Sequence, residues 1–594
     1  MQAQPASSKQ SDGSSARDSP ASEYRDRIAK HERAIARYAR VELAIYRFKR
    51  VMIFSVIGYV VFDPTTTFLL TPMFVSLVPL VIVQNWAIRG WRREGKRIEF
   101  YQRALGRIEH RWMREGDRGD RYFDDAHPFA EDLDIFGRGS IYQLLCTTRT
   151  PAGCDTLAEW LKTPADVSTV VRRQAAVREL RNRLDLREAW AIHEADASHV
   201  ETALLQSDAP AVLPHRTAKI LAVLLGVTLA VCLLGAFFDP LRWWPFLSFV
   251  LIAELAIALV LRQKLRALAA SMRDVGVGLW AFEGFAGLIR REQIDASIIG
   301  SAAKLAGTDR PLSTRVLARF CRLAPQEPFF VWLWLQVWPN LEQRHAALRA
   351  RAAEWFAALG QFEALSALAC YSFEHPGDPF PEFLDKGPSI EAVGVGHPLI
   401  PESDCVRNDV RLDTAQQLIL ISGSNMSGKS TLLRSLGTNA VLALAGAPVR
   451  AERLALSELS IGTAMRFRDS VHDGTSYFFA VVRRLKMVTD LSGGGRPPLL
   501  FLFDEMLQGT NSHDRRVGSE AVLQMLIEAG AIGIVTTHDL TLTEICEALG
   551  PRAANMHFED QVTDGRMTFD YKIKPGVVQK SNALALMRIA GLEV

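Results

Sequence analysis

A chain of 594 residues is too long for a single hydrophobic core and points to roughly two to four domains. Its 48% hydrophobic and 23% charged content is an ordinary globular balance, and a net charge of +3 neither predicts nor excludes a nucleic-acid partner, because a basic stripe can hide in a neutral total. The seven cysteines form no C-x-x-C pair, which argues against a zinc site and a disulfide framework and fits a reducing compartment.

Residues 1–22, rich in Ser, Gln, Ala and Asp, read as a disordered tail without the apolar region of a secretion signal. Residues 23–50 read as a basic helix ending in Arg47-Phe48-Lys49-Arg50. Two strongly apolar blocks follow, far apart. In the first, 51–86, the arm from Phe68 to Trp86 is long enough to cross a bilayer, and the arm from Val51 to Phe62 is short for it. In the second, 217–261, uncharged Ile220 to Phe238 is followed by the turn Asp239-Pro240-Leu241-Arg242, and Trp243 to Leu261 returns with one acid, Glu254. Both blocks read as helical hairpins that turn at Phe-Asp-Pro.

Basic residues flank both hairpins: Arg47, Lys49 and Arg50 before the first, Arg89, Arg92, Arg93, Lys96 and Arg97 after it; His215, Arg216 and Lys219 before the second, Arg262, Lys264 and Arg266 after it. By the positive-inside rule the large segments and both termini are cytoplasmic in a bacterial-type inner (plasma) membrane protein that crosses more than once. Two buried hairpins of a soluble protein are the alternative. Residues 87–216 and 262–385 read as two parts of a helical soluble core. From Ile390 short β-rich runs alternate with helices, so 386–594 is expected to be an α/β domain.

The chemistry lies in that last domain. Gln417-Leu-Ile-Leu-Ile421 is a buried strand that feeds into Gly423-Ser424-Asn425-Met426-Ser427-Gly428-Lys429-Ser430-Thr431, after which a helix begins. This is the strand–loop–helix setting that a G-x-x-x-x-G-K-[ST] phosphate loop requires. The glycines let backbone N–H groups curl around phosphate oxygens, and the helix N-terminus favours the anion. Lys429 is expected to reach the β- and γ-phosphates of ATP, and the Ser430 hydroxyl to bind Mg²⁺. A second buried strand, Leu499-Leu-Phe-Leu-Phe-Asp504-Glu505, ends in two acids: Asp504 for Mg²⁺ and Glu505 to polarise the attacking water. Thr536-Thr-His538-Asp539 follows a third strand, where His538 can sense the γ-phosphate. Leu491-Ser-Gly-Gly-Gly495 looks like the signature of transporter-type ATPases, but only Arg496-Pro497-Pro498 separates it from the Asp-Glu strand, so no helix fits and it reads as a loop.

These residues resemble the MutS family of mismatch-repair ATPases. The loop at 423–431 is similar to the family's Gly-Pro-Asn-Met-x-Gly-Lys-Ser-Thr, with Asn425-Met426 the specific part. Asp504-Glu505 through Gly509-Thr510-Asn511-Ser512 to Asp514 resembles its Asp-Glu-x-x-x-Gly-Thr-Ser-Thr-x-Asp, and Gly474-Thr-Ser476-Tyr-Phe478 its Gly-x-Ser-Thr-Phe signature. Gly396-His397-Pro398 and Val406-Arg-Asn408-Asp409 match the entry to its ATPase domain; Tyr571-Lys-Ile-Lys-Pro-Gly576 resembles its ending. By that resemblance Cys405 and Val406 flank the adenine, His557 lies near the base, and Ser476 with Thr510, Asn511 and Ser512 reaches the nucleotide of a partner subunit. More weakly, Ile135-Phe136, Thr150-Pro-Ala-Gly153, Arg173-Gln174 and Phe362-Glu363 resemble the family's core domain. There are departures. The mismatch-reading domain with its Phe-x-Glu wedge has no counterpart, although Phe129-Ala130-Glu131 fits the letters. The second hairpin stands roughly where the family's clamp helices would be. Val481 and Asn511 replace a usual Glu and Ser.

The expected architecture is an α/β P-loop ATPase of the ABC/MutS type at the C-terminus, preceded by an all-α core interrupted by transmembrane helical hairpins. The expected function is a membrane-anchored, ATP-switched homodimer that needs Mg²⁺, touches the lipid bilayer through both hairpins and acts on DNA. A membrane scaffold without DNA binding and a transporter-type ATPase are the alternatives.

Overall fold

The computed structural model describes residues 19–62, 71–192, 215–257 and 356–578 apart from 386, 425, 467–476, 494, 496 and 564–565, with a few single positions between 259 and 354. Most of the 1–22 tail, most of 262–385, Asn425 and Ser476 therefore lie outside the described residues. The chain divides into two units: Met1–Cys146, Ala158–Ile192 and Ala367–Val594 form one, and Thr147–Leu157 with His193–Ser366 the other.

The first unit opens with two long helices packed on each other, α1 (Pro20–Phe62) and α2 (Thr71–Ile108). The basic helix and the apolar arm are one element: α1 runs through residue 50 without a break over its 43 residues, about 64 Å of helix. Near its start Tyr24 and Tyr101 are fully buried, and His31 Nδ1 lies 2.6 Å from Glu94 Oε2. Farther along, a Cβ at Gly90 would come 2.4 Å from the Tyr38 ring, so that glycine lets the helices touch. Beyond this point the surface turns apolar: Val51, Ile53, Phe54, Ile82 and Trp86 are exposed.

After α2 the chain is irregular from 109 to 140, not helical as the reading of 87–216 anticipates. Gly116, Gly119, Gly137 and Gly139 all adopt positive φ, which interrupts any helix. Short helices follow: α3 (Ile141–Leu145), capped by the Ser140 side chain, α4 (Pro151–Lys162), α5 (Val167–Arg181) and α6 (Leu184–Ala191). Phe129 of the wedge-like tripeptide is 2% exposed and stacks edge-on against His127, so it is a packing residue.

In the second unit, α7 (His215–Phe238) and α8 (Pro240–Ile257) are separated by Asp239 alone. Leu229, Cys232 and Leu247 pack between them, and Trp243 lies over Gly235. Phe237, Phe238, Leu241 and Phe249 face outward and are highly exposed. Among the described residues one helix, Pro240–Ile257, is long and apolar enough to cross a membrane; the neighbouring apolar stretch Val223–Phe238 is shorter. The same unit joins two segments far apart in sequence. Glu363, on α9 (356–374), accepts from the Thr150 hydroxyl at 2.6 Å and the Thr150 N–H at 3.0 Å, with Gly153 directly beneath it.

The α/β domain carries two sheets. The smaller contains β1 (Glu382–Phe383), β2 (Ile390–Val395), β3 (Asn408–Leu412) and β5 (Arg453–Leu456) in the order β1-β5-β2-β3, so the sheet begins four residues before 386. The larger has six strands: β4 (Leu418–Ser422), β6 (Ser460–Ala464), β7 (Leu499–Asp504), β8 (Ile532–Thr537), β9 (Ala553–Thr563) and β10 (Arg566–Pro575). Their order is β10-β9-β4-β8-β7-β6, parallel except for the last hairpin. Its central strands are buried along almost their whole length, as parallel strands covered on both faces must be. The helices are α10 (Lys429–Ala445), α11 (Tyr477–Thr489), α12 (Ser512–Glu528) and α13 (Glu544–Leu549). Val481 is fully buried on α11 in the core beneath the sheet, where an ionised Glu would be costly. The segment 490–492 forms one short turn before β7, as the loop reading of 491–495 expects.

Buried Asp132, in the irregular segment, holds the end of β6. Its carboxylate accepts from the Thr463 hydroxyl at 2.6 Å, from the backbone N–H groups of Met465 and Arg466, and pairs with Arg484.

Candidate nucleotide-binding site

The register of the large sheet decides where chemistry can occur. Ser422 at the end of β4 pairs with Thr537 of β8, and Asp504 at the end of β7 pairs with Thr536. The loops leaving β4, β7 and β8 therefore emerge at one edge, where ligands of open α/β sheets bind. The glycine loop leaves β4, and α10 starts at Lys429 behind Gly428, whose φ of 104° only glycine adopts without strain.

A cavity of about 450 Å³ opens there. Ser424, Met426, Gly428, Lys429, Ser430 and Thr431 line one end and Glu505 faces it. The remaining wall contains His397, Ile400, Cys405, Val406 and Tyr571. Lys429 is buried and its amine donates to the carbonyls of Gly423 at 2.7 Å and Ser424 at 2.8 Å. Burial lowers its pKa, and the nearby carboxylates of Glu505 and Asp504 oppose that shift. The Ser424 and Ser427 hydroxyls are buried with no partner among the described residues. Of the two, Ser424 lines the cavity, and an orphaned donor beside a caged ammonium is what a bound polyphosphate would satisfy.

Asp504 is fixed by a short hydrogen bond from the Thr536 hydroxyl. Glu505 follows in the left-handed conformation, φ 51°, with its N–H on Thr536 O at 3.1 Å and its carboxylate 3.3 Å from His538 Nδ1. Among the described residues six non-glycine positions have positive φ, and three of them (Met426, Glu505 and Tyr571) line this one cavity. Such concentration of backbone strain marks a functional site. His397 is buried and accepts from Leu399 N–H at Nδ1; burial pushes its pKa down to about 4, so the neutral ring presents an Nε2–H donor.

Of the other residues singled out in the sequence, Val406 lines the cavity and His557 does not. The His557 ring sits on β9 with Nδ1 3.1 Å from Gly576 O. Tyr571 occupies the wall instead, its ring 3.2 Å from where a Cβ on Gly428 would lie. The Asn408 side chain pins its backbone, donating to Tyr571 O at 3.0 Å and accepting from Ile573 N–H at 2.9 Å. Sequence reasoning quoted Tyr571 only as part of an ending motif, because an aromatic in a strand reads as packing. Asn511 and Ser512 are exposed at the start of α12, and Thr510 is half-buried before them. Asn511 caps that helix, accepting from Asp514 N–H at 2.9 Å; Asn caps as well as the usual Ser. Ser476 and Asn425 lie outside the described residues.

Residues 419–594 match the family model of MutS domain V. A DNA mismatch repair protein MutS of Natronomonas pharaonis is 29% identical over 43% of this chain and 29% of its own length. Endonuclease MutS2 of Thermus thermophilus is 32% identical over 34% of this chain and 26% of its own, and DNA mismatch repair protein MSH6 of Arabidopsis thaliana 32% over 35% and 16%. The chain thus spans less than a third of the length of these relatives. From residue 419 onward the chain carries a MutS domain V, and over that region it is similar to MutS-family proteins.

Proposed function

We propose that this chain is a membrane-anchored ATP hydrolase of the MutS type, switched between open and closed homodimers by ATP, with DNA as its target. The observation that carries the reading is one cavity combining a caged Lys429, the partnerless buried hydroxyl of Ser424 and Glu505 in a strained turn beside His538. The triphosphate would draw the Lys429 amine from the loop carbonyls to its β- and γ-oxygens. Ser430 and Asp504 have the donor chemistry to hold Mg²⁺, which when bound would neutralise charge between those phosphates. Glu505 accepts a proton from the attacking water, whose oxygen bonds to the γ-phosphorus as the bond to the β-phosphate oxygen breaks; ADP leaves with that electron pair. His538 holds the carboxylate in position. Thr510, Asn511, Ser512 and Ser476 would complete the site of a partner subunit.

The relatives' names, DNA mismatch repair protein and endonuclease, support a DNA target without implying mismatch specificity. The exposed apolar faces of α7 and α8, and of the outer ends of α1 and α2, support anchoring in a lipid bilayer. The basic flanks support a reading with both termini and the ATPase on the cytoplasmic side of a bacterial-type inner membrane. Lys429→Ala should lower ATP affinity by about tenfold or more in equilibrium binding; wild-type affinity in that variant refutes the site. Alkaline carbonate should leave the chain in the membrane fraction. A gel shift with duplex, branched or single-stranded DNA should show an ATP-dependent, salt-sensitive complex; no complex favours an ATP-switched membrane scaffold.

A further inference from the structure

We infer that Arg450, which lies outside the cavity, is a positioning residue that ties the base-side wall of the nucleotide site to the helical core. The inference rests on the reading of the cavity as an ATP site. If phosphates occupy the glycine loop, the base and ribose must lie against the other wall, around His397, Cys405 and Val406. Arg450 connects that wall to two other parts of the protein.

Its backbone joins the wall to the phosphate-loop helix. Arg450 N–H donates to Asn439 Oδ1 at 2.7 Å, and Gly396 N–H donates to Arg450 O at 2.9 Å. The Asn439 amide, on α10, also donates to Gly396 O and Ser435 O, both at 2.8 Å. Gly396 must stay bare, because a Cβ there would come 2.4 Å from Cys405 Sγ in the wall itself. The side chain reaches in two directions. One guanidinium nitrogen binds Glu402 in the segment leading to Cys405 and Val406, and Nε lies 3.5 Å from Asp378 Oδ2. Arg407 holds the other side of Glu402, 2.7 Å away.

Asp378 follows α9. It accepts from the Tyr371 hydroxyl at 3.1 Å, and His375 lies against the Tyr371 ring at 4.3 Å. One turn back on α9, Glu374 pairs with Arg107 at the end of α2 and meets the Tyr24 hydroxyl of α1. Buried ion pairs thus join α2 to α9 through Glu374, and the end of α9 to Arg450 through Asp378, while the exposed Glu402 continues from Arg450 to the wall. Arg450 and Asp378 are nearly inaccessible, so neither charge can trade its partner for water. A shift of α9 moves Asp378, and Arg450 must carry Glu402 with it. By linkage, nucleotide pressing on the wall biases the helical core in return.

The test separates base-side binding from phosphate binding and from chemistry. The full chain is assayed for the KM and kcat of ATP, the inhibition constant of ADP and that of inorganic tripolyphosphate. Glu402 is surface-exposed, so Glu402→Gln should fold normally; Asp378→Asn keeps the shape of the buried group. Each should raise the ATP KM and the ADP inhibition constant by about threefold, and Arg450→Met by about tenfold. In all three, kcat should stay within about twofold and tripolyphosphate inhibition should not change. The double variant Glu402→Gln/Asp378→Asn should add nothing to Arg450→Met. Unchanged KM in Glu402→Gln and Asp378→Asn overturns the inference. So does weakening of tripolyphosphate in step with ATP, which means general loosening of the site. A wild-type chain that hydrolyses no ATP instead overturns the reading beneath it.

Discussion

Acidification should destabilise the first unit along a slope set by three imidazoles. Burial pushes His127, His375 and His397 down to about 4 from an ordinary 6.5. Folded, each stays neutral until about pH 4; unfolded, each binds a proton below about 6.5. The unfolded chain therefore gains protons that the folded chain refuses, and stability falls as pH drops through that window. Asp378 works the other way: burial raises its carboxyl to about 6, with Arg450 opposing, so between about pH 6 and 4 the folded chain holds a proton that the unfolded chain lacks. Three protons against one leave a net uptake near two around pH 5. At about 1.4 kcal/mol per proton per pH unit, the slope is about 3 kcal/mol per pH unit there. The assay is the urea midpoint of the full chain from pH 7 to 4.5, compared with His397→Gln, which keeps a hydrogen-bond acceptor within reach of Leu399. The variant should lose about one proton of that dependence, roughly 1.4 kcal/mol per pH unit. Parallel curves for wild type and variant would refute the neutral, buried imidazole in the cavity wall.

Two further substitutions test particular contacts. Asp132→Asn breaks the pairing with Arg484 inside a buried cluster and should cost about 3 kcal/mol in urea unfolding; a change below about 0.5 kcal/mol would show that the clamp on β6 contributes nothing. Tyr571→Ala should weaken ATP about tenfold by calorimetry, whereas Tyr571→Phe should bind within about twofold of wild type, because the ring rather than the hydroxyl faces Gly428.

What could be read from the sequence was whatever rests on local order. The glycine loop, the strand feeding it and the Asp504-Glu505 strand end are contiguous, and each carries its chemistry within about ten residues. The two hairpins were legible as helices from their apolar runs, although α1 and α2 extend far beyond those runs because hydropathy marks surface chemistry rather than helix ends. Residues 109–140 escaped because glycine punctuation was outweighed by flanking helical patterns. Contacts between residues far apart in the chain left no local trace: Asp132 reaches Thr463, Glu363 reaches Thr150, and Arg450 reaches Asp378. Tyr571 escaped for the same reason, since its place in the wall is set by Asn408 from a different strand.

The central claim is that Glu505 drives ATP hydrolysis in a dimer that ATP closes. The most direct measurement is light scattering together with steady-state hydrolysis on Glu505→Gln in Mg²⁺ and ATP. Removing a general base should slow turnover about 10²- to 10⁴-fold while leaving binding intact. The variant should therefore accumulate as an ATP-bound dimer where wild type cycles. Hydrolysis at the wild-type rate, or a variant that binds ATP and stays monomeric, would contradict the account.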